Sequence, residues 1–524
     1  MKPAAFHYGE DQLSVGIALE ISRGQRTATL SQDAIQKIIK SRNIVERVVE
    51  EERIVYGVTT GFGPLCTTFI SPENTRKLQY NLLISHSVGV GQLIPKELSK
   101  LMLILKVHAL AQGYSGITSA TLERIIWHIE QDAIPCVPEQ GSVGASGDLA
   151  PLSHLFLPLL GLGKVHYQGK IMPTAELFKK TGLEAIELEA KEGLALINGT
   201  QFMAAFGIAI VERLQNCLDQ ADIIAAMNIE ALAGSAKPFT KGLHDVRPHA
   251  GCQYVAQRLH MLLNDSEIMQ SHIDCDRVQD PYSLRCIPQV HGASRNAWLH
   301  LKDTLHTEIN SVTDNPILLD AENIISGGNF HGQPIALPLD YAGMAAAEIG
   351  NISDRRVYLT LEGKYEGLPK LLLEETGLNS GFMIPQYTTA ALVSENKSLC
   401  FPASVDSIPT SMGQEDHVSM GSISGRKTLK IVENLEKILG IELLYAAQGI
   451  DFRRPLKSST FIEACHDHVR QEIGYRKEDR SFEEDLEKVI NMIRKGDLVR
   501  VTDEVAQNNK ARFSNRKDQL FGIY

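Results

Sequence analysis

Between residues 98 and 112 the chain reads LSKLMLILKVHALAQ, and between 119 and 134 SATLERIIWHIEQDAI; both carry apolar residues at helical spacing. After Asn198 the runs lengthen. FMAAFGIAIVERLQNCLDQADIIAAMNIEALAG contains no proline over more than thirty residues, and DYAGMAAAEIGNISDRRVYLTLEGK and GRKTLKIVENLEKILGIELLYAAQGIDF have the same character. In the last of these Ile431, Leu435, Ile438 and Leu439 fall on one stripe, and Glu433 and Lys437 stand as an i,i+4 pair. Helices this long and apolar pack into a bundle, within one chain or across subunits. Before residue 200 short apolar segments alternate with glycine-rich punctuation, as in YGVTTGFGPL, SHSVGVGQ and GSVGASGD. GKVHYQGKIMPT predicts a small hairpin, and little else reads as sheet. The expected fold is therefore mainly α, with a glycine-rich, loop-bearing N-terminal domain over residues 1–205. A long-helix bundle with C-terminal helices would occupy 206–524.

Composition narrows the function classes without choosing one. In 524 residues, 43% hydrophobic and 22% charged, the balance is that of an ordinary globular protein. A formal net charge of -11 argues against a nucleic-acid or anionic-membrane partner. The N-terminus carries Glu10 and Asp11 and no long apolar run, so no secretory signal is expected, and no apolar stretch reaches the ~18 residues of a spanning helix. Eight cysteines without a CxxC pair read as reduced thiols in a cytoplasmic protein. The densest ligand cluster is CHDH at 465–468, but neighbours on a helix point apart, and no metal site is expected. The charged stretch YRKEDRSFEEDLEK is expected on the surface.

Candidate chemistry starts at GSVGASGDLAP. As a serine-nucleophile elbow it fails because Asp148 stands where glycine is needed. As a phosphate loop it lacks the Lys-Ser/Thr ending. Composition alone leaves a plain turn as open as a third chemistry, backbone cyclisation. There the Gly147 amide nitrogen attacks the Ala145 carbonyl carbon, and two waters leave, one carrying the Ser146 hydroxyl. Glycine is needed as the attacking residue because a side chain would block the approach. In VQDPYSLRC, Arg285 follows Tyr282 by one helical turn, so both can face one pocket. Arginine suits an α-carboxylate as a bidentate clamp, and a phenol becomes a base where its site lowers its pKa.

GSVGASGDLAPLSH resembles the prosthetic-group segment of the aromatic amino acid ammonia-lyases and related 2,3-aminomutases. The resemblance continues through VYGVTTGFGPL, LISHSVGVG, EGLALINGTQ, VQDPYSLRCIPQVHGA, TDNPI, SGGNFHGQP and PTSMGQEDHVSMG, roughly residues 50 to 425. It implies that Ala145, Ser146 and Gly147 become 4-methylideneimidazole-5-one (MIO), with no external cofactor. It further implies Tyr282 as the base, Arg285 as carboxylate anchor with Gln279 beside it, and Tyr56 over the electrophile. Asn198 would lie near the substrate carboxylate or the MIO, and Phe330 would wall the ring. The family forms homotetramers whose sites draw on three subunits.

Two positions address the substrate. Imidazole has two ring nitrogens that want partners, which Glu415 of QEDHVSM and His86 of LISHSVGVG can supply. A phenyl ring would leave those groups unpaired at a cost of ~1–3 kcal/mol. By resemblance, the Gln-Glu-Asp-His pattern marks the histidine-specific members, whereas phenylalanine and tyrosine enzymes tend to carry Asn-Gln. Ser-His is shared with some tyrosine lyases and discriminates less. The expected reaction is elimination of ammonia from L-histidine to trans-urocanate. A phenylalanine or tyrosine lyase, an aromatic 2,3-aminomutase, and a non-catalytic helical scaffold stay open as alternatives.

Overall fold

The computed structural model describes residues 3–273, 277–508, 520–522 and 524. Helices dominate, and the sheet among these residues is limited to four pieces of two or three short strands. In the N-terminal part the chain forms α1 (Thr75–His86), α2 (Lys96–Ala111), α3 (Ser119–Glu130), α4 (Leu149–Phe156) and the short α5 (Glu192–Ile197). The Thr118 hydroxyl caps α3 by accepting from the Thr121 amide at 3.2 Å. The predicted hairpin is present as β2 (Lys164–Tyr167) and β3 (Lys170–Pro173), with β1 (Ile134–Pro135) added on the far side of β2. Its two-residue turn places Gln168 and Gly169 both at positive φ, the twist that a tight hairpin requires.

The long apolar runs become α6 (Gln201–Ala231), α8 (Ile287–Ile309), α9 (Gln333–Leu361) and α11 (Gly421–Asp451), with the four-residue α7 (Tyr282–Arg285) before α8 and α10 (Met383–Leu399) before α11. α6 is buried on nearly every face, several polar residues included, and packs against α8, α9 and α11. Glycines let α9 and α11 approach closely: a Cβ on Gly343 would lie 2.7 Å from the Thr428 hydroxyl. Several charged and polar groups inside the bundle are paired. Arg295 meets Asp222 and Asp219 at 2.6 and 2.9 Å, and Asn228 donates to Glu442 at 2.8 Å. The principal apolar core is continuous from Phe6 to Phe521, and the expected boundary at residue 205 falls in the first turns of α6.

Two local expectations are corrected, and a third segment acquires partners. Ile431, Leu435, Ile438 and Leu439 are buried as the stripe requires, but Glu433 turns to Arg213 at 3.4 Å and Lys437 donates to Asn434 at 3.3 Å instead of pairing with each other. The stretch around 475–488 is not wholly on the surface. Arg476 is buried, bonds Asp485 at 2.9 Å and stacks 3.7 Å above the Phe482 ring, because an aromatic face and a carboxylate together replace its water. In CHDH, His466 goes to Asp451 at 2.9 Å and His468 to Asp497 at 3.5 Å, so each imidazole has a carboxylate of its own. No helix is long and apolar enough to cross a membrane among the described residues.

Candidate active site

The loop 142–148 is wedged between two fixed pieces of chain. On one side the Asp148 amide donates to the Gly199 carbonyl at 2.8 Å, and the Gly199 amide returns a bond to the Ser146 carbonyl at 3.3 Å. On the other, the Met420 amide donates to the Val143 carbonyl at 3.0 Å and the Ser422 hydroxyl to the Ser142 carbonyl at 2.8 Å, at the start of α11. Gly144, Ser146 and Gly147 all sit at positive φ. A Cβ at Gly147 would fall 2.1 Å from the Gly199 oxygen, so only glycine fits there. The left-handed Ser146 is a strained arrangement for a non-glycine residue, and the two anchors hold it.

Beneath the loop, Asp148 is fully buried and accepts from the Met203 amide in the first turn of α6 at 3.1 Å. Burial outweighs that bond and pushes its carboxyl up to about 7. Asn198, the residue that ends α5, donates from its side-chain amide to the Asn315 carbonyl at 2.9 Å.

A cleft of about 1310 Å³ opens over the loop, lined by Tyr56, His86, Ser146, Asn198, Phe330 and Glu415 among others. The Ser146 hydroxyl donates to Glu415 Oε1 at 3.2 Å. The other carboxylate oxygen, Oε2, accepts from Thr410 at 2.9 Å and Ser411 at 2.8 Å, which fixes the plane of the group. His86 ends α1, its Nδ1 3.0 Å from the Ser85 hydroxyl, and burial pulls its pKa down, favouring the neutral ring. The Tyr56 hydroxyl accepts from the Gly63 amide at 3.2 Å; burial first and the Glu415 charge in lesser degree push its pKa up, keeping it a phenol.

Six of the expected site residues thus share one cleft, with Ala145 and Gly147 buried just behind Ser146. Gln279, Tyr282 and Arg285 do not join them within one chain. Gln279 lines a separate hollow of about 270 Å³ with Arg277 and Asp280. Tyr282 is 70% exposed, with the Arg285 guanidinium 4.5 Å from its ring centre, and Arg285 Nε donates to the Asp280 carbonyl at 3.0 Å. Asp280 in turn accepts from the Ser235 amide, just beyond the end of α6. The loop is tied to Met203 at the start of that helix. The twenty-eight steps of chain from Met203 to Ala231, at about 1.5 Å each, put roughly 40 Å between the two groups.

Sequence reasoning passed over Thr410 and Ser411, which read as ordinary loop residues, and Asn315, which carried only the resemblance of TDNPI. It also passed over Lys106, whose ammonium is buried between the carbonyls of Ala195 and Asn198.

A helical bundle carrying a strained Ala-Ser-Gly loop at the foot of a cleft is the architecture of the aromatic amino acid lyases; the model of that family matches residues 13–471, and the chain belongs to it. A histidine ammonia-lyase of Myxococcus xanthus is 46% identical over 93% of this chain and 96% of its own length. Among solved structures, the histidine ammonia-lyase of Trypanosoma cruzi superimposes with a TM-score of 0.87 at 40% identity, covering 95% of each chain. The tyrosine aminomutase of Streptomyces globisporus reaches a TM-score of 0.91 at 34% identity, covering 98% of this chain and all of its own. The backbone is common to enzymes of different substrate and outcome, so the side chains in the cleft must carry the distinction.

Proposed function

We propose that this chain eliminates ammonia from L-histidine to give trans-urocanate, on an MIO group made from Ala145, Ser146 and Gly147. The observation that carries the substrate is Glu415: a carboxylate anchored through Oε2 by two hydroxyls, with Oε1 turned to Ser146 at the cleft floor. A charged acceptor at that place suits an imidazole N–H and has no counterpart on a phenyl ring. The neutral His86 serves the other ring nitrogen, and Phe330 walls the ring.

The loop fits the MIO group, since it has no room for a Cβ at Gly147 and already holds the left-handed turn at Ser146. In its formation the Gly147 nitrogen bonds to the Ala145 carbonyl carbon, whose oxygen leaves as water with the amide hydrogens of Ser146 and Gly147. The Ser146 hydroxyl leaves as a second water with the Cα hydrogen. The finished group supplies an electron-poor methylene that no side chain offers. Loss of the hydroxyl also releases Oε1 of Glu415 for the substrate.

Tyr282 takes the β-proton, and Arg285 clamps the α-carboxylate with Gln279 beside it. Both come from a neighbouring subunit, because roughly 40 Å of helix separates them from the loop of their own chain. A homotetramer with shared sites satisfies this, and it gives the exposed Tyr282 and Val278 a covering surface. Tyr56 acts as a phenol over the electrophile, and Asn198 lies beside it. We place the division between loop-bearing domain and bundle at the start of α6. A cytoplasmic location suits the seven cysteines of the described residues, all of them free thiols.

The test is direct. Purified protein is given L-histidine, L-phenylalanine or L-tyrosine, and near-UV absorbance of the conjugated acid is followed. Product from phenylalanine or tyrosine and none from histidine would sink the substrate assignment. Intact mass should lie two waters below the value for the sequence, and a full-mass chain would defeat the MIO reading.

A further inference from the structure

The mechanism above makes no use of Lys106, a lysine buried in the N-terminal part. Lys106 lies in the middle of α2, 1% exposed, between apolar neighbours Leu105 and Val107. Its Nζ donates to the carbonyls of Asn198 and, at 3.1 Å, Ala195. The nearby buried acid Asp314 is occupied by Lys191, whose ammonium lies 2.6 Å away. An ammonium taken out of water onto two neutral carbonyls is a costly arrangement, and packing alone would favour an apolar residue. Burial pulls its pKa down to about 7; Asp314 and, more weakly, Asp148 resist that fall while Lys191 adds to it.

Its place explains the arrangement. Ala195 and Asn198 belong to the last turn and cap of α5, where carbonyls run out of helical donors. The next residue is Gly199, whose carbonyl receives the Asp148 amide and against whose backbone Gly147 is seated. Asn198 is pinned at both ends, its carbonyl by Lys106 and its side chain by Asn315. We infer that Lys106 is a positioning residue: by holding the Asn198 carbonyl it fixes the Asn198–Gly199 platform on which the Ala-Ser-Gly loop cyclises and from which Asn198 meets the substrate. It touches neither substrate nor electrophile.

This inference rests on the MIO reading, and the experiment separates the two. Wild type, Lys106→Met and Lys106→Arg are purified as full-length oligomers, and intact mass, thermal midpoint and histidine kinetics are measured. If wild type shows no deficit of two waters, the MIO reading itself falls. If it shows the deficit, Lys106→Met should remain folded but cyclise in fewer than about half of its chains, or lose about tenfold or more in kcat per cyclised chain with KM within about threefold, since misplacement of a reacting framework acts on the transition state. Lys106→Arg, which keeps the donors, should restore part of what is lost. Complete dehydration with wild-type kcat in Lys106→Met would overturn the inference. So would an arginine variant as defective as the methionine one, or loss of folding in both, which would make Lys106 a core residue only.

Discussion

Ser146 and Glu415 stand 269 positions apart in the chain, yet the serine hydroxyl donates to the glutamate at 3.2 Å. In the proposed reaction the carboxylate that reads the substrate therefore sits on the precursor of the electrophile. Glu415→Gln should lower kcat/KM for histidine by about 10- to 100-fold, the worth of a hydrogen bond to a charged group. Its melting temperature should stay within a few degrees of wild type, because the residue is only half-buried on a loop. Near-normal kinetics would mean that the carboxylate does not read the imidazole.

Gly147→Ala puts a methyl 2.1 Å from the Gly199 oxygen at a φ of +78°. The chain should keep its full mass and show no turnover of histidine. A variant that still loses two waters would show that the loop moves further than its anchors allow.

Tyr282→Phe should cost 10²- to 10⁴-fold in kcat, roughly the range of a general base. Ser146→Ala should be inactive for lack of the electrophile. Co-expressed, the two should recover about a quarter of wild-type activity, because random assembly gives that share of sites a sound loop from one subunit and a sound tyrosine from another. Mixed oligomers no better than either parent would place both residues of a site on the same chain.

Glu230 is buried in the last turn of α6, accepts from the Ser459 amide at 3.2 Å, and is pushed up to about 7 by burial. Between its ordinary value and about 7 the unfolded chain has lost this proton while the folded chain keeps it. Stability from this group is therefore full in acid and lost as pH rises through about 7. Glu230→Gln should raise the thermal midpoint relative to wild type at about pH 8, by the equivalent of 1–3 kcal/mol or so, and much less at about pH 5. An equal offset at both pH values would rule out the ionisation as its cause.

Much of the fold is legible in the sequence. The periods of 201–231 and 421–451 are helical because every turn must bury apolar surface, and that signal survives any neighbour. Backbone chemistry marked Ala145, Ser146 and Gly147, because only small residues can cyclise there, whereas Tyr56, Asn198 and Phe330 were placed only by the resemblance to the family. Lys106 escaped because periodicity treats a lysine as a solvent-facing position, and no helical wheel shows a carbonyl waiting inside. Its position amid Leu103, Ile104, Leu105 and Val107 was the available sign: a single charge in an unbroken apolar span is either an error in the pattern or a buried partner to something polar. The pairing of Glu433 with Arg213 was beyond reach for a different reason. Neighbours along one helix can be counted from sequence, but competition from another helix cannot.

If the loop and the tyrosine of one centre come from different subunits, as proposed, the length of α6 makes catalysis a matter of concentration. A chain whose loop and tyrosine stand at opposite ends of a rigid rod can be fully folded and hold no working centre. On dilution toward the dissociation constant of the subunits, activity per milligram should drop while helicity stays constant, and it should return on concentrating the same sample. Stability of fold and competence for chemistry are then separate equilibria, and only the second depends on how many neighbours a chain can find.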